Sequence, residues 1–229
     1  MGKALIIKGA DFSANGIPAD FTHLEWISST NTSGKYINSD IFWGNKTYSL
    51  DDELQFCIKL DANKLTDSSS SCYSPGSYIN VNTQCYAWFA QTSTKFYFAK
   101  GGYLAISGNL FDNNWHTISI NKTKVTIDGT EYAWTDTPTK LSPADQGVYN
   151  NIPVYLDCTS RTSSNGYNIG VNGGDEDAAK IAWVKYLRSG SLILDAIPVK
   201  RKSDNKICFY DKISGEYKVR NDGSNPLYG

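Results

Sequence analysis

Methionine occurs once in the 229 residues, at position 1, and histidine twice, at His23 and His116. The five cysteines (Cys57, Cys72, Cys85, Cys158 and Cys208) include no Cys-x-x-Cys pair. With so few histidines, this leaves no ligand spacing for zinc. Charge of one sign is also missing: 22 Lys and Arg stand against 23 Asp and Glu, a net charge of −1. A near-neutral chain carries no electrostatic footprint for nucleic acid or for an anionic membrane surface. No apolar run approaches the roughly 18 residues of a membrane helix. The four-residue run Ala4-Leu5-Ile6-Ile7 falls short of the 7–15 or so residues of an export-signal core. The expectation is therefore no nucleic-acid partner, no membrane partner and no signal-driven export.

Aromatic residues are plentiful, with 15 Tyr, 9 Phe and 6 Trp, and 19 Gly supply turns. Aromatic-rich, Met-poor composition favours strands over helix bundles, and a chain of this length suits one all-β domain. Leu54, Phe56, Ile58 and Leu60 alternate with polar or small neighbours and predict a strand buried on one face. Tyr78–Val81, Cys85–Phe89, Lys95–Phe98 and Tyr103–Ile106 read as four consecutive strands, and the Ser-rich 66–77 stretch before them as an exposed loop. The clearest local signal is Trp115-His116-Thr117-Ile118-Ser119-Ile120, then Val125-Thr126-Ile127, then Asp128-Gly129 and a return strand. Asp-Gly between strands is a hairpin turn signal, because Gly accepts positive φ. His23–Ile27, Lys35–Asn38, Ile152–Leu156 and a last hairpin of Lys206–Asp211 with Gly215–Val219 complete the strand candidates. Residues 178–187 fit either a helix or, with Gly190 and Leu192-Ile193-Leu194, a hairpin. Residues 135–151 and 159–177 read as long polar loops, the kind that carries function. Cys57 and Cys208 sit in apolar strand patterns and read as buried reduced thiols, while Cys72 and Cys85 remain a possible pair across a loop.

Three stretches together resemble the laminin-G-like, concanavalin-A-like jelly-roll family. The first is Asn114–Ile120 followed by Val125–Gly129, similar to that family's Trp-His strand and Asp-Gly hairpin. The second is Leu24-Glu25-Trp26-Ile27-Ser28-Ser29-Thr30 with Gly34–Ser39, similar to a subgroup found in gut bacteria and their phages. The third is Ala179–Val199 with Phe209-Tyr210-Asp211-Lys212-Ile213-Ser214-Gly215. The resemblance implies an all-β fold, a two-sheet antiparallel jelly-roll sandwich spanning residues 22–229, with residues 1–21 as a strand or attachment arm. It implies a non-catalytic module that binds glycan or protein, and a structural, hydrogen-bonded His116. The subgroup points to a phage or prophage virion component, a fibre or decoration protein made in the host cytoplasm and able to form a homo-oligomer such as a trimer. A bacterial cell-surface lectin and a jelly-roll polysaccharide hydrolase or lyase are the alternatives.

Against the enzyme alternative, the chain lacks a Glu-x-Asp-x-x-Glu strand, and catalytic carboxylates need fixed separations. Asp51-Asp52-Glu53 and Asp175-Glu176-Asp177 read as solvated turns. Asp175 and Asp177, after Gly173-Gly174, also offer the oxygen donors a Ca2+ ion takes; no other cofactor is expected. Lys200-Arg201-Lys202 reads as a solvated turn, and the Asn-x-Thr/Ser triplets as chance. Aromatics on alternating strands (Phe56, Trp88, Phe96, Phe98, Trp115) are expected in the core. Tyr149 and Tyr167 lie in polar loops, and Tyr167 sits near Arg161, Asn165 and Asn168. A ring flanked by such donors and acceptors suits a sugar, so these five are the candidate ligand residues.

Overall fold

A computed structural model describes residues 16–28, 35–42, 50–61, 74–80, 83–90, 93–107, 110–140, 153–157, 159–163, 166–169 and 179–229. The segment 4–7 lies outside them. In chain order the strands are β1 (Phe21–His23), β2 (Ile27–Ser28), β3 (Asn38–Phe42), β4 (Asp52–Leu60), β5 (Gly76–Asn80) and β6 (Thr83–Ala90). β7 (Ser93–Ala99), β8 (Gly102–Ile106), β9 (Trp115–Ile120), β10 (Lys124–Ile127), β11 (Thr130–Ala133) and β12 (Pro153–Tyr155) follow. β13 (Thr159–Ser163), β14 (Gly166–Ile169), β15 (Ala179–Arg188), β16 (Ser191–Arg201), β17 (Ile207–Asp211) and β18 (Tyr217–Lys218) end the chain. The fold is all-β, with no helix among the described residues.

Two sheets result. The ten-stranded one runs β11-β10-β9-β4-β15-β16-β17-β18, with β1 beside β16 and β2 beside β15. The eight-stranded one runs β14-β13-β5-β6-β7-β8, with β12 paired to β3 and β5. Their pairings are antiparallel except for β13 on β5, which is parallel and corrects the fully antiparallel expectation. Parallel neighbours need a crossover, and here more than seventy residues of chain, including β6 to β12, separate β5 from β13.

Alternation decides which side chains meet between the sheets. Leu54, Phe56, Ile58 and Leu60 of β4 are fully buried, as are Ile118 and Ile120 of β9. They share one cluster with Ala87, Phe89, Phe96 and Phe98 of the eight-stranded sheet. The Phe98 and Trp134 rings stack across it with centroids 6.4 Å apart. Each buried Phe or Ile contributes about 1.5–3 kcal/mol relative to exposure, so this β-sandwich-like cluster dominates the fold. Gly102 faces Phe98 in the β7–β8 pairing, and a Cβ there would collide with the Phe98 carbonyl and the Pro138 ring. That close approach lets 135–139 pack along β8, where Asp136 and Thr139 bridge Tyr103 and Lys100.

Several local expectations change. His23–Ile27 is not one strand: β1 pairs with β16 and β2 with β15, and the amides of Glu25 and Trp26 between them bond the Gly229 carbonyl instead. Residues 74–77 end the Ser-rich stretch buried rather than exposed, since the Ser74 hydroxyl donates to the Ala87 carbonyl at 2.7 Å and accepts from the Ala87 amide at 2.9 Å. The alternatives at 178–187 resolve to the hairpin β15–β16, turned by Ser189 and Gly190 at φ 48° and 78°. Lys200 and Arg201 belong to β16 rather than to a turn, and Arg201 lies over the Tyr217 ring at 4.2 Å. Cys57, Cys85 and Cys208 are buried free thiols. Cys72 and Cys158 are outside the described residues, and Cys85 forms no cross-link.

Consecutive β17 residues point to opposite faces of the sheet. Ile207 and Phe209 join the main cluster, while Cys208 and Tyr210 join Ile17, Phe21 and Val199 in a second one on the outer face.

Candidate functional site

The Trp-His hairpin yields a locked histidine. Asp128 and Gly129 adopt φ 50° and 82°, the left-handed pair of a primed turn. This turn brings Asp128 back beside β9: its Oδ1 accepts the Thr117 amide at 2.8 Å and its Oδ2 lies 2.7 Å from His116 Nδ1. On the other side His116 Nε2 is 3.0 Å from Asp112 Oδ1, and Asp112 is itself held by Asn114. Burial works against the His116 charge, but the bonds to Asp128 and Asp112 outweigh it and raise the pKa. For Asp112, slight burial is outweighed by hydrogen bonds from Asn114 and His116, which hold it at about 2. Both ring nitrogens are therefore engaged within the framework, which is the geometry of a structural histidine.

The sign of its pH effect follows. A histidine with a raised folded pKa adds stability that is fully present below its unfolded value, near 6.5, and lost as pH rises through the folded value. His116→Gln is expected to flatten that decline above about pH 6.5 in thermal melts. A variant with the same slope as the parent protein would rule out the charged, doubly bonded ring.

Of the acidic run at 51–53 only Asp51 is an exposed turn residue; Asp52 and Glu53 belong to β4. Asp52 opens β4 and is buried; its Oδ2 accepts the Tyr186 hydroxyl at 2.7 Å, and Arg188 Nε lies 3.5 Å from its Oδ1. Burial, with the Asp52 charge next, pushes the Tyr186 hydroxyl far above its usual pKa, so Tyr186 stays a neutral donor. Glu53, on the opposite face, accepts from Ser119 at 2.7 Å and Asn121 at 3.2 Å. Asp51 pairs with Lys122 at 2.6 Å. Asp51, Asp52, Glu53, Asn121, Lys122 and Thr123, with the Ser189-Gly190 turn, line an open cleft of about 400 Å³. The local sequence hid this because Tyr186 lies 134 residues away.

Of the five candidate ligand residues, three fall on one described element. The 159–177 stretch is not a continuous loop: β13 and β14 form a hairpin at the margin of the eight-stranded sheet. Arg161 is the register partner of Asn168, and Thr162 of Tyr167. Tyr149 and Asn165 lie outside the described residues, as do Asp175 and Asp177. Among the described residues no three His, Cys, Asp or Glu side chains converge as a metal cluster would require.

Trp115 is a correction. Phe56, Phe96 and Phe98 are core, but Trp115 is partly exposed, because His116, Ile118 and Ile120 take the inward positions of β9. It shares the outer face with Thr117 and Ser119. Trp183 joins it: a bulge between Ile181 and Trp183 sets Trp183 opposite Cys57, and Lys185 Nζ lies 5.3 Å from its ring. Trp26 carries Lys180 Nζ at 4.6 Å. The parity of 115 against 116, 118 and 120 was the available signal for Trp115; for Trp183 the bulge removed it. The Trp88 side chain is not described. No family model matches the chain, and no curated protein matches it.

Proposed function

We propose that the chain is a non-catalytic recognition module with a laminin-G-like jelly-roll topology, serving as a fibre or decoration protein of a phage or prophage virion and binding a host glycan. The family reading rests on the three resembling sequence stretches, of which the first folds as the Asp-Gly meander and the third as the β15–β16 hairpin and the β17–β18 closing turn. The observation that carries the binding role is the β13–β14 hairpin. It sets Arg161 across from Asn168 and Tyr167 one register position away, at a sheet margin. Arginine and asparagine in cross-strand register supply donors and an acceptor for sugar hydroxyls, and Tyr167, the next residue along β14, adds an aromatic ring to the same hairpin.

The test is a glycan array read with the full chain and with the Tyr149→Ala/Tyr167→Ala double variant. Loss of both rings is expected to weaken the parent protein's hits among uncharged glycans by tenfold or more, the worth of one or two stacking contacts. Hits that persist unchanged in a folded double variant would remove the 135–177 region from the binding role. Capsular polysaccharide incubated with the protein is expected to release no new reducing ends; their appearance would return the hydrolase or lyase reading.

A further inference from the structure

The outer face of the ten-stranded sheet brings together side chains that the hairpin site does not use. In one register row Ser28 pairs with Lys180, Lys180 with Lys59, and Lys59 with Trp115. Trp26, next to that row, packs under Lys180. In the next row Thr117, Cys57 and Trp183 are neighbours, and beyond them come Ser119, Gln55 and Lys185. From β2 to β9 the row crosses three inter-strand spacings, about 14 Å. Thr117 is exposed, and Trp26, Lys59, Trp115, Lys180, Trp183 and Lys185 are all partly exposed.

The patch is therefore three tryptophans interleaved with three lysines on one sheet face. Two acids share the face and are already partnered: Glu53 accepts from Ser119 and Asn121, and Asp195, the register partner of Lys185, pairs with Lys212 at 2.7 Å. The net charge of −1 is a sum over the whole surface and does not describe this face. Lysine beside tryptophan has two consequences. The ammonium groups favour an anionic ligand, and the indole faces favour a ring that can stack. Burying a second copy of the same patch here would oppose lysine to lysine, which is repulsive. A chain of pyranose rings with carboxylate or sulfate groups meets both demands.

We propose that this Trp–Lys face is a second ligand surface, and that it takes an anionic glycan chain, its sugar rings on Trp115 and Trp183 and its acid groups on Lys59, Lys180 and Lys185. It stands whether or not the β13–β14 hairpin binds a sugar.

Tryptophan fluorescence of the full chain, titrated with three probes, tests it: an oligogalacturonate, a heparin-derived oligosaccharide, and methyl-esterified oligogalacturonate as the uncharged control. At least one anionic probe is expected to give a saturable change that weakens with added salt, with the methyl ester at least tenfold weaker. Lys59→Gln/Lys185→Gln, two surface changes that spare the core, is expected to weaken it tenfold or more, and Trp115→Ala to do the same. Tyr149→Ala/Tyr167→Ala is expected to leave it intact. The proposal is overturned if neither anionic probe binds, if the ester binds equally, or if the lysine variant binds like the parent protein. Loss in the tyrosine variant alone would assign the glycan to the hairpin instead. A dimer in sedimentation that Trp115→Ala dissolves would assign the face to a second copy, and likewise overturn it.

Discussion

Arg220→Met is expected to cost the fold about 3–5 kcal/mol near pH 8, the usual penalty for removing one partner of a buried ion pair. At 2–4 °C per kcal/mol for a chain of this size, thermal melts should shift down by about 10 °C. The reason lies in what the pair joins. Asp157 is fully buried and Arg220 is 1% exposed. Asp157 Oδ1 accepts the Ile37 amide at 2.7 Å, and Arg220 Nε lies 3.4 Å from Oδ2. Around them the Leu156 amide bonds the Ile37 carbonyl and the Asn221 amide bonds the Tyr36 carbonyl. One carboxylate thus fastens the exit of β12, the entry to β3 and the C-terminal segment to one another.

The penalty depends on pH with a sign that separates this account from simple loss of packing. Burial, the largest influence, raises the Asp157 pKa to about 6, against the lowering by Arg220 and the Ile37 amide. A carboxyl that binds its proton more tightly when folded contributes most below its unfolded pKa of 3.8, and its contribution falls as pH rises through about 6. Without Arg220 the folded pKa rises further, and ionising Asp157 opposes folding outright. The deficit of Arg220→Met should therefore be smaller at pH 5 than at pH 8. Asp157→Asn/Arg220→Met removes both charges and keeps an oxygen for the Ile37 amide. It should cost less than the sum of its two single changes. A deficit equal at both pH values, or strict additivity, would show that Arg220 acts by volume alone.

The sequence was legible wherever the relevant partner lay within a few residues. Period-two alternation over 54–60 and 115–120 places Phe56, Ile58, Ile118 and Ile120 correctly, because a half-buried strand writes its face into its own pattern. Asp128-Gly129 states its turn outright, since positive φ at both positions admits few residue types. What the sequence could not state is pairing at a distance. Asp52 and Tyr186 are 134 residues apart and Asp157 and Arg220 are 63, so the local pattern around Asp52 reads as a turn and that around Asp157 carries no sign of its partner. Trp115 differs: its size argues for burial, but its parity against His116, Ile118 and Ile120 places it on the outer face. At the β13–β14 hairpin, nearness in sequence groups Arg161, Tyr167 and Asn168. β13–β14 pairing keeps Arg161 and Asn168 together for a different reason, cross-strand register.

Asp211→Ala is the other large effect, expected at about 4 kcal/mol, and it gives the Phe209-Tyr210-Asp211-Lys212-Ile213-Ser214-Gly215 run a physical meaning. The Asp211 carboxylate is buried at the end of β17. Its Oδ1 accepts the Asp195 amide at 2.9 Å and the Ile213 amide at 3.1 Å. Its Oδ2 accepts the Ser214 amide at 3.2 Å and the Ser214 hydroxyl at 2.6 Å. The same residue's backbone closes the turn, its carbonyl accepting from Gly215 and its amide donating to Glu216, with Gly215 at φ 75°. Alanine would leave three amides without their acceptor, and bonds to a charged acceptor are worth about 1.5–3 kcal/mol each before relaxation. Water can reach the turn amides of Ile213 and Ser214 but not the buried Asp195, which keeps the sum below three full losses. Asp211→Asn should fall between, because its amide oxygen serves Asp195 and Ile213 while its NH2 opposes the Ser214 amide donor. Ser214→Ala, losing one hydroxyl bond, should cost only about 1 kcal/mol. Urea melts of the three variants therefore order as Ala, Asn, then Ser214→Ala in severity. If Asp211→Asn proved as damaging as Asp211→Ala, the acceptor count would be wrong and the charge itself would be what holds β17 to β16.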